Sequence, residues 1–162
     1  MIYVNGYWLK EDGGQRFHVV SYEIRVCPIC GHVLLVIGTR KRGIINSEGE
    51  KQILIIRRMR CKDCRAIHHE LPDIIIPYKR HCADSIEKII AGDVEDVCCD
   101  DNMIRRIRAW WAACLLYFES VLASLREKYE LVFSANSAPR EIVRAVANAH
   151  LWLHTRSAFL SG

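Results

Sequence analysis

Over the first seventy positions apolar and polar residues alternate in short runs, and after that the period lengthens. Within Ile2–Leu9 stands Val4-Asn5-Gly6-Tyr7, and Asn-Gly between β-prone residues is a strong hairpin signal. Glu11-Asp12-Gly13-Gly14 reads as a turn, and Phe17–Val26 alternates as a strand leading into Cys27. Val33–Thr39 and Gln52–Met59 predict two further strands, joined by a basic loop that turns at Asn46-Ser47-Glu48-Gly49. To about residue 70 the expectation is short antiparallel β. Leu71–Tyr78, bracketed by Pro72 and Pro77, is expected to be an extended linker.

Beyond the linker the pattern is helical. Asp84-Ser85-Ile86-Glu87 resembles a capping sequence, with Gly92 as the stop, and a short second helix is expected over Val94–Cys98. Asp100 or Asp101 then caps a long helix reaching about Lys128. Its stripe of Ile104, Ile107, Trp111, Cys114, Phe118, Val121 and Leu125 alternates spacings of three and four. Asn136-Ser137-Ala138-Pro139 opens a last helix with Ile142, Val146, Ala149 and Leu153 on its inner face. The expected fold is therefore α+β: an N-terminal antiparallel β ribbon over 1–78, then an all-α, helix-turn-helix-like bundle over 79–162. The stripe on the long helix suits packing within the chain, with a homodimer seam as the other reading.

Charge sharpens this picture. The net charge of the 162 residues is +4, but its distribution is uneven. Arg40–Lys62 holds eight basic residues against two acids, whereas Asp84–Asp101 holds seven acids against Lys88 alone. A basic face implies a polyanionic partner. No stretch reads as a secretory signal, and the apolar run Ala109–Phe118 is far short of the ~20 residues that span a bilayer. The expectation is a cytoplasmic protein without a membrane segment.

Eight cysteines in such a compartment point to metal rather than disulfides. Cys27-Pro28-Ile29-Cys30 and Cys61-Lys62-Asp63-Cys64 each end a predicted strand, and two residues between thiols let a tight turn aim both at one ion. Two such turns complete a tetrahedral four-sulfur site for one structural zinc ion. With every position taken by sulfur, the metal stabilises and does no chemistry. Arg65 stands where the first unit has Gly31, at a position where the turn calls for a left-handed backbone. Cys82, Cys98, Cys99 and Cys114 read as small buried apolar groups, although a second metal at Cys82, Cys98 or Cys99 stays open. His68 and His69 read as surface or interface residues.

The candidate DNA reader is the helix from Asp101, whose Asn102, Arg105 and Arg108 share a face suited to bases, with Arg106 aimed at phosphate. Arg40, Lys41, Arg42, Arg57, Arg58 and Arg60 form a second basic footprint on the strands, equally suited to DNA or RNA backbone, with double-stranded DNA as the expected partner. The competing reading is a solvated basic stripe.

These residues carry a resemblance. Cys27-Pro28-Ile29-Cys30-Gly31, the run Ile56–Cys64 and the run His68–Arg80 resemble an uncharacterised bacterial zinc-ribbon family. Its members lie beside, or are fused into, transposase and integrase genes of insertion elements. Ile104–Trp111 and Leu151–Leu160 are similar to the same group. The resemblance implies a transposon-associated DNA-binding protein, an accessory or regulator of a transposase or integrase, and not an enzyme. The alternative is an adaptor that docks on a transposase or polymerase through the ribbon or the Trp-rich helices. A catalytic transposase or nuclease ranks below both, because the acids of 84–101 have no strands left to scaffold them.

Overall fold

The computed structural model of the chain describes residues 1–130 and 137–152. Six strands come first: β1 (Ile2–Val4), β2 (Tyr7–Glu11), β3 (Arg16–Ser21), β4 (Leu34–Ile45), β5 (Lys51–Cys61) and β6 (Ile67–Pro72). Three helices follow: α1 (Ala83–Ala91), α2 (Asp101–Tyr129) and α3 (Pro139–Asn148). β5 is the hub. β4 runs antiparallel along one of its edges, from Leu34 opposite Cys61 to Ile45 opposite Lys51, with a bulge between Val36 and Gly38. Its other edge is divided: Ile53–Ile55 pairs in parallel with β3, and Arg58–Arg60 pairs antiparallel with β6. β2 extends the sheet beyond β3, and β1 extends it beyond β6.

This corrects the expected antiparallel ribbon followed by an all-helical bundle. The sheet is mixed, and the helices pack on it rather than forming a bundle apart. One buried cluster includes Tyr3, Val19, Leu54, Ile56 and Leu71 from the strands together with Ile86, Phe118 and Val143 from the helices. Burying each such side chain is worth about 1.5–3 kcal/mol, so sheet and helices stabilise one another. Tyr3 ties them further, its amide donating to Asn148 Oδ1 at 2.7 Å and its hydroxyl to the Ile75 carbonyl at 2.5 Å.

The Asn5-Gly6 hairpin does not form. Neither residue has a positive φ, which a two-residue hairpin turn requires, and β1 instead pairs in parallel with Glu70–Pro72. The Gly6 amide donates to Glu23 Oε1 at 2.5 Å, and a Cβ on Gly6 would meet Glu23 and the Tyr22 ring at 2.8 Å. Glycine is used there for close approach. Segment 71–78 is no linker either. Leu71 and Pro72 belong to β6, and Ile75 and Ile76 are 1% exposed, because three consecutive isoleucines outweigh the flanking prolines. Residues Arg40, Lys41 and Arg42 lie in β4 itself, not in a loop.

The helices match expectation at their ends more than in their number. Asp100 caps α2 by accepting from the Met103 amide at 2.8 Å, and Ile107, Cys114, Phe118, Val121 and Leu125 are buried along its stripe. Phe118 sits between Trp111 and Trp152, with ring centroids 5.5 and 5.7 Å away. Gly92 ends α1, but the N-cap is Cys82 rather than Asp84. Val94–Cys98 contains a turn and no helix, so the middle element of the expected helix-turn-helix is missing. Five residues are too few to repay helix nucleation without strong packing. α3 buries Val143, Val146 and Ala147, leaving Ile142 and Ala149 half-buried; Asn136 and Leu153 lie outside the described residues. Among the described residues no helix is long and apolar enough to cross a membrane.

A buried carboxylate joins β6 to its surroundings. Glu70 is fully buried and accepts from Arg57 Nε at 2.5 Å and Nη2 at 2.7 Å, with Arg25 Nε 3.4 Å away. Removing one partner of a buried charge pair leaves the other desolvated and uncompensated. Glu70→Gln is expected to destabilise the protein by about 3 kcal/mol or more, read as a lower urea midpoint at unchanged slope.

Candidate metal centre

Two backbone turns build the site in the same way. In the first, the Cys27 amide donates to the His32 carbonyl at 2.7 Å. In the second, the Cys61 amide donates to the Ala66 carbonyl at 3.0 Å. The residue after each second cysteine is left-handed, Gly31 at φ 76° and Arg65 at φ 62°. The first turn lies between the isolated bridge Val26–Val33, and the second lies between β5 and β6. Because Leu34 faces Cys61 in the β4–β5 ladder, the two turns arrive side by side. The long hairpin absorbs the thirty residues between Cys30 and Cys61.

The four sulfurs lie within 4.8 Å of one another, with Cys27–Cys64 at 3.5 Å and Cys30–Cys61 at 3.4 Å. A tetrahedral zinc site with Zn–S near 2.3 Å needs sulfurs about 3.8 Å apart, so the cluster can close on one ion. Cys27 and Cys61 are buried while Cys30 and Cys64 are exposed, which places the centre at the surface. Burial opposes ionisation of Cys61, but the Cys64 and Asp63 amides and the neighbouring thiols overcome it and draw its thiol down to about 7. At Cys64 the Ala66 amide favours the thiolate, yet burial and the three other sulfurs push it up to about 12. Four thiolates this close repel one another, and a divalent cation is what lets all four ionise.

His68 was expected at the surface, but it is 1% exposed with Nε2 3.5 Å from Cys27 Sγ. Burial, and then nearby positive charge, draws its imidazole down to about 4, so the ring is neutral. A neutral ring with its hydrogen on Nε2 can donate to the Cys27 sulfur. Such a donor orients a ligand and disperses its charge. Sequence offered one cue for this role: a histidine four residues past the last cysteine, on the strand beside the turn. Of the other cysteines, Cys82 and Cys114 are buried as expected, whereas Cys98 is exposed against the hairpin turn at Gly49. Among the described residues the four-cysteine group is the only cluster fit for a metal.

The predicted DNA-contact residues fall into two sets. Arg57 is neutralised by Glu70, and Arg42 donates to the Lys79 carbonyl at 2.9 Å. Arg40, Lys41 and Arg60 are exposed and Arg58 is half-buried, and none joins an ion pair among the described residues. On α2, Asn102, Arg105 and Arg106 are exposed, Arg105 donates to Asn102 Oδ1 at 2.5 Å, and Arg108 reaches the Ile89 carbonyl at 3.1 Å. Arg108 therefore braces α1 against α2. Lys79 and Arg80 were not expected here; they extend the basic surface from Arg42 toward α2.

Residues 27–107 match a family described as a domain of unknown function, DUF6431. The match runs from the first metal-site cysteine into the second turn of α2 and covers half of the chain, which belongs to that family. No curated protein and no solved structure matches it.

Two outcomes are expected. Protein purified without chelators should carry one zinc per chain by elemental analysis, and Cys61→Ser should lose it together with most of the hairpin's resistance to proteolysis. Arg65→Gly should stabilise the zinc-loaded protein by about 0.5–1 kcal/mol, because the left-handed backbone there costs arginine more than glycine. Thermal unfolding of the two loaded proteins reads the difference.

Proposed function

We propose that this DUF6431 protein is a zinc-stabilised binder of double-stranded DNA that meets the phosphate backbone with a continuous basic face. The carrying observation is a chain of cations, none of which joins an ion pair among the described residues. Arg42 is held below its ordinary value by burial and then by Arg40 and Arg80, and Lys79 is drawn down to about 8 by burial, with Arg106 adding to the effect. The cations Arg40, Arg42, Arg80, Lys79 and Arg106 thus follow one another from β4, across the turn before α1, to the start of α2. Crowded like charges disfavour one another's ionised forms, and a polyanion relieves that cost.

The part each element plays follows from this placement. The metal centre fixes the root of the β4–β5 hairpin, and the hairpin presents Arg40, Lys41, Arg58 and Arg60. The start of α2 adds Arg105 and Arg106 as phosphate contacts rather than as an inserted reading helix. Binding, not catalysis, fits the acids: Asp84 and Glu87 are engaged by Arg140, and Glu70 by Arg57. With the resemblance to proteins encoded beside transposases, the role is that of a transposase accessory or regulator.

A second reading has its own observation. Val26, Ile29, Val33, Leu35, Val36, Ile37 and Ile67 are each 45–56% exposed around the metal centre. Exposed apolar side chains on both faces of the hairpin root favour an adaptor docking on a protein.

Fluorescence anisotropy of the zinc-loaded protein on a duplex, at several salt concentrations, separates the two. For DNA binding, log K should fall linearly with log salt, and Arg80→Gln and Arg106→Gln should each reduce the slope by about 1. No measurable duplex affinity, with a protein partner retained through Leu35 and Ile37, would transfer the function to the apolar rim.

A further inference from the structure

A cavity of about 410 Å³ opens between the sheet and the turn that precedes α1. Its floor is apolar, made by Ile56, Leu71 and Ile75, and Arg40 and Arg42 from β4 add two cations beside the imidazole of His69 from β6. Among the described residues the lining contains no carboxylate. The ladder explains the arrangement. Arg40 faces Ile56 and Arg42 faces Leu54, so two arginines two residues apart stand on the sheet face that carries the core. Placing cations beside a buried apolar floor costs stability unless an anion joins them. Burial, followed by the charges of Arg40 and Arg58, holds the His69 imidazole below its ordinary value.

Two further lining residues are unusual in their backbone. Tyr78 and His150 both line the cavity, and both are left-handed, at φ 63° and 61°. They make up two of the four non-glycine residues with positive φ among the described residues. Such conformations cost of order 1 kcal/mol or more each, and they concentrate where a ligand is held. The His150 ring packs edge-on against His68, with centroids 5.9 Å apart, and Tyr78 lies near enough to Arg42 to act on its charge.

The geometry points to a binding site for a phosphorylated nucleoside: an anionic phosphate between Arg40, Arg42 and His69, and a flat base over the apolar floor beside the Tyr78 and His150 rings. Phosphate alone would leave most of 410 Å³ unfilled, whereas the space is within the range of sites for small organic ligands. Arginine pairs recognise phosphate oxygens in a fork geometry, and aromatic rings take bases by stacking without selecting among them. The nucleotide has two sources, a free mononucleotide or the 5′-phosphorylated end of a DNA strand. The site uses Arg40 and Arg42 in common with the basic face, but it does not require duplex binding.

Calorimetric titration of the zinc-loaded chain tests it with four probes: deoxyadenosine 5′-monophosphate, deoxyadenosine, inorganic phosphate, and a ten-nucleotide single strand with or without a 5′-phosphate. The mononucleotide should bind at least tenfold tighter than either the nucleoside or inorganic phosphate, because only it engages both sides. Arg40→Gln should weaken the mononucleotide tenfold and leave the nucleoside unchanged. Tyr78→Gly should weaken both, while raising rather than lowering the thermal midpoint as the left-handed strain is relieved. A 5′-phosphorylated strand that binds more tightly than the mononucleotide assigns the site to strand ends; equal or weaker binding assigns it to free nucleotides. Inorganic phosphate as tight as the mononucleotide would reduce the cavity to bare basic surface, and no binding of any probe would remove the site. Duplex affinity measured in parallel tells that failure apart from failure of the DNA-binding reading.

Discussion

The ladder hydrogen bonds of β5 constrain every other element. A strand has two edges, and β5 gives one whole edge to β4 and divides the other between β3 and β6. That division decides which segments can approach. β6 reaches β5 only at Arg58–Arg60, so the turn carrying Cys61 and Cys64 lies between two paired strands. β4 in turn brings the Cys27 turn alongside through Leu34 and Cys61. The metal centre is thus placed by backbone pairing and then closed by sulfur. Glu70, on the same short strand, fixes Arg57 and Arg25 from the face opposite Leu71, so a single element joins the charge pair, the metal turn and the core.

How much of this can be read from residues depends on the distance over which the deciding interaction acts. The thiol pairs are local, and their spacing carries the geometry of the turn; even the left-handed Arg65 follows from aligning it with Gly31. The cap at Asp100 and the apolar stripe of α2 are local as well, and both are legible. The parallel pairing of β1 with β6 is not, because nothing within Ile2–Val4 specifies a partner at residue 70. The Asn5-Gly6 signal is legible but loses to the Glu23 carboxylate that occupies its amides. Likewise the prolines around Ile74-Ile75-Ile76 suggest a linker, and only the tertiary core shows why three isoleucines cannot stay in water.

The candidate site divides along the same line. Four metal-site cysteines come straight from spacing. The basic residues come from composition, but composition cannot say which arginines are already engaged. Arg57 is consumed by Glu70 and Arg108 by a helix carbonyl, whereas Lys79 and Arg80 become part of the surface only because the chain folds back at Ile45 and His81. A residue's charge is written in its type, and its availability is written in its neighbours.

The parallel pairing of the first strand also sets an order of events during synthesis. Ile2 meets Glu70, so β1 has no place until residues 70–72 have emerged. Closing so long a loop before any contact repays it is slow, whereas the β4–β5 hairpin and its two cysteine turns close over short distances. The β4–β5 hairpin is therefore the natural nucleus, and β1 is the last piece of the sheet to arrive. Until it does, one edge of β6 is open to pairing with other chains, so the sequence separation of β1 and β6 sets how long the nascent protein is exposed to that hazard.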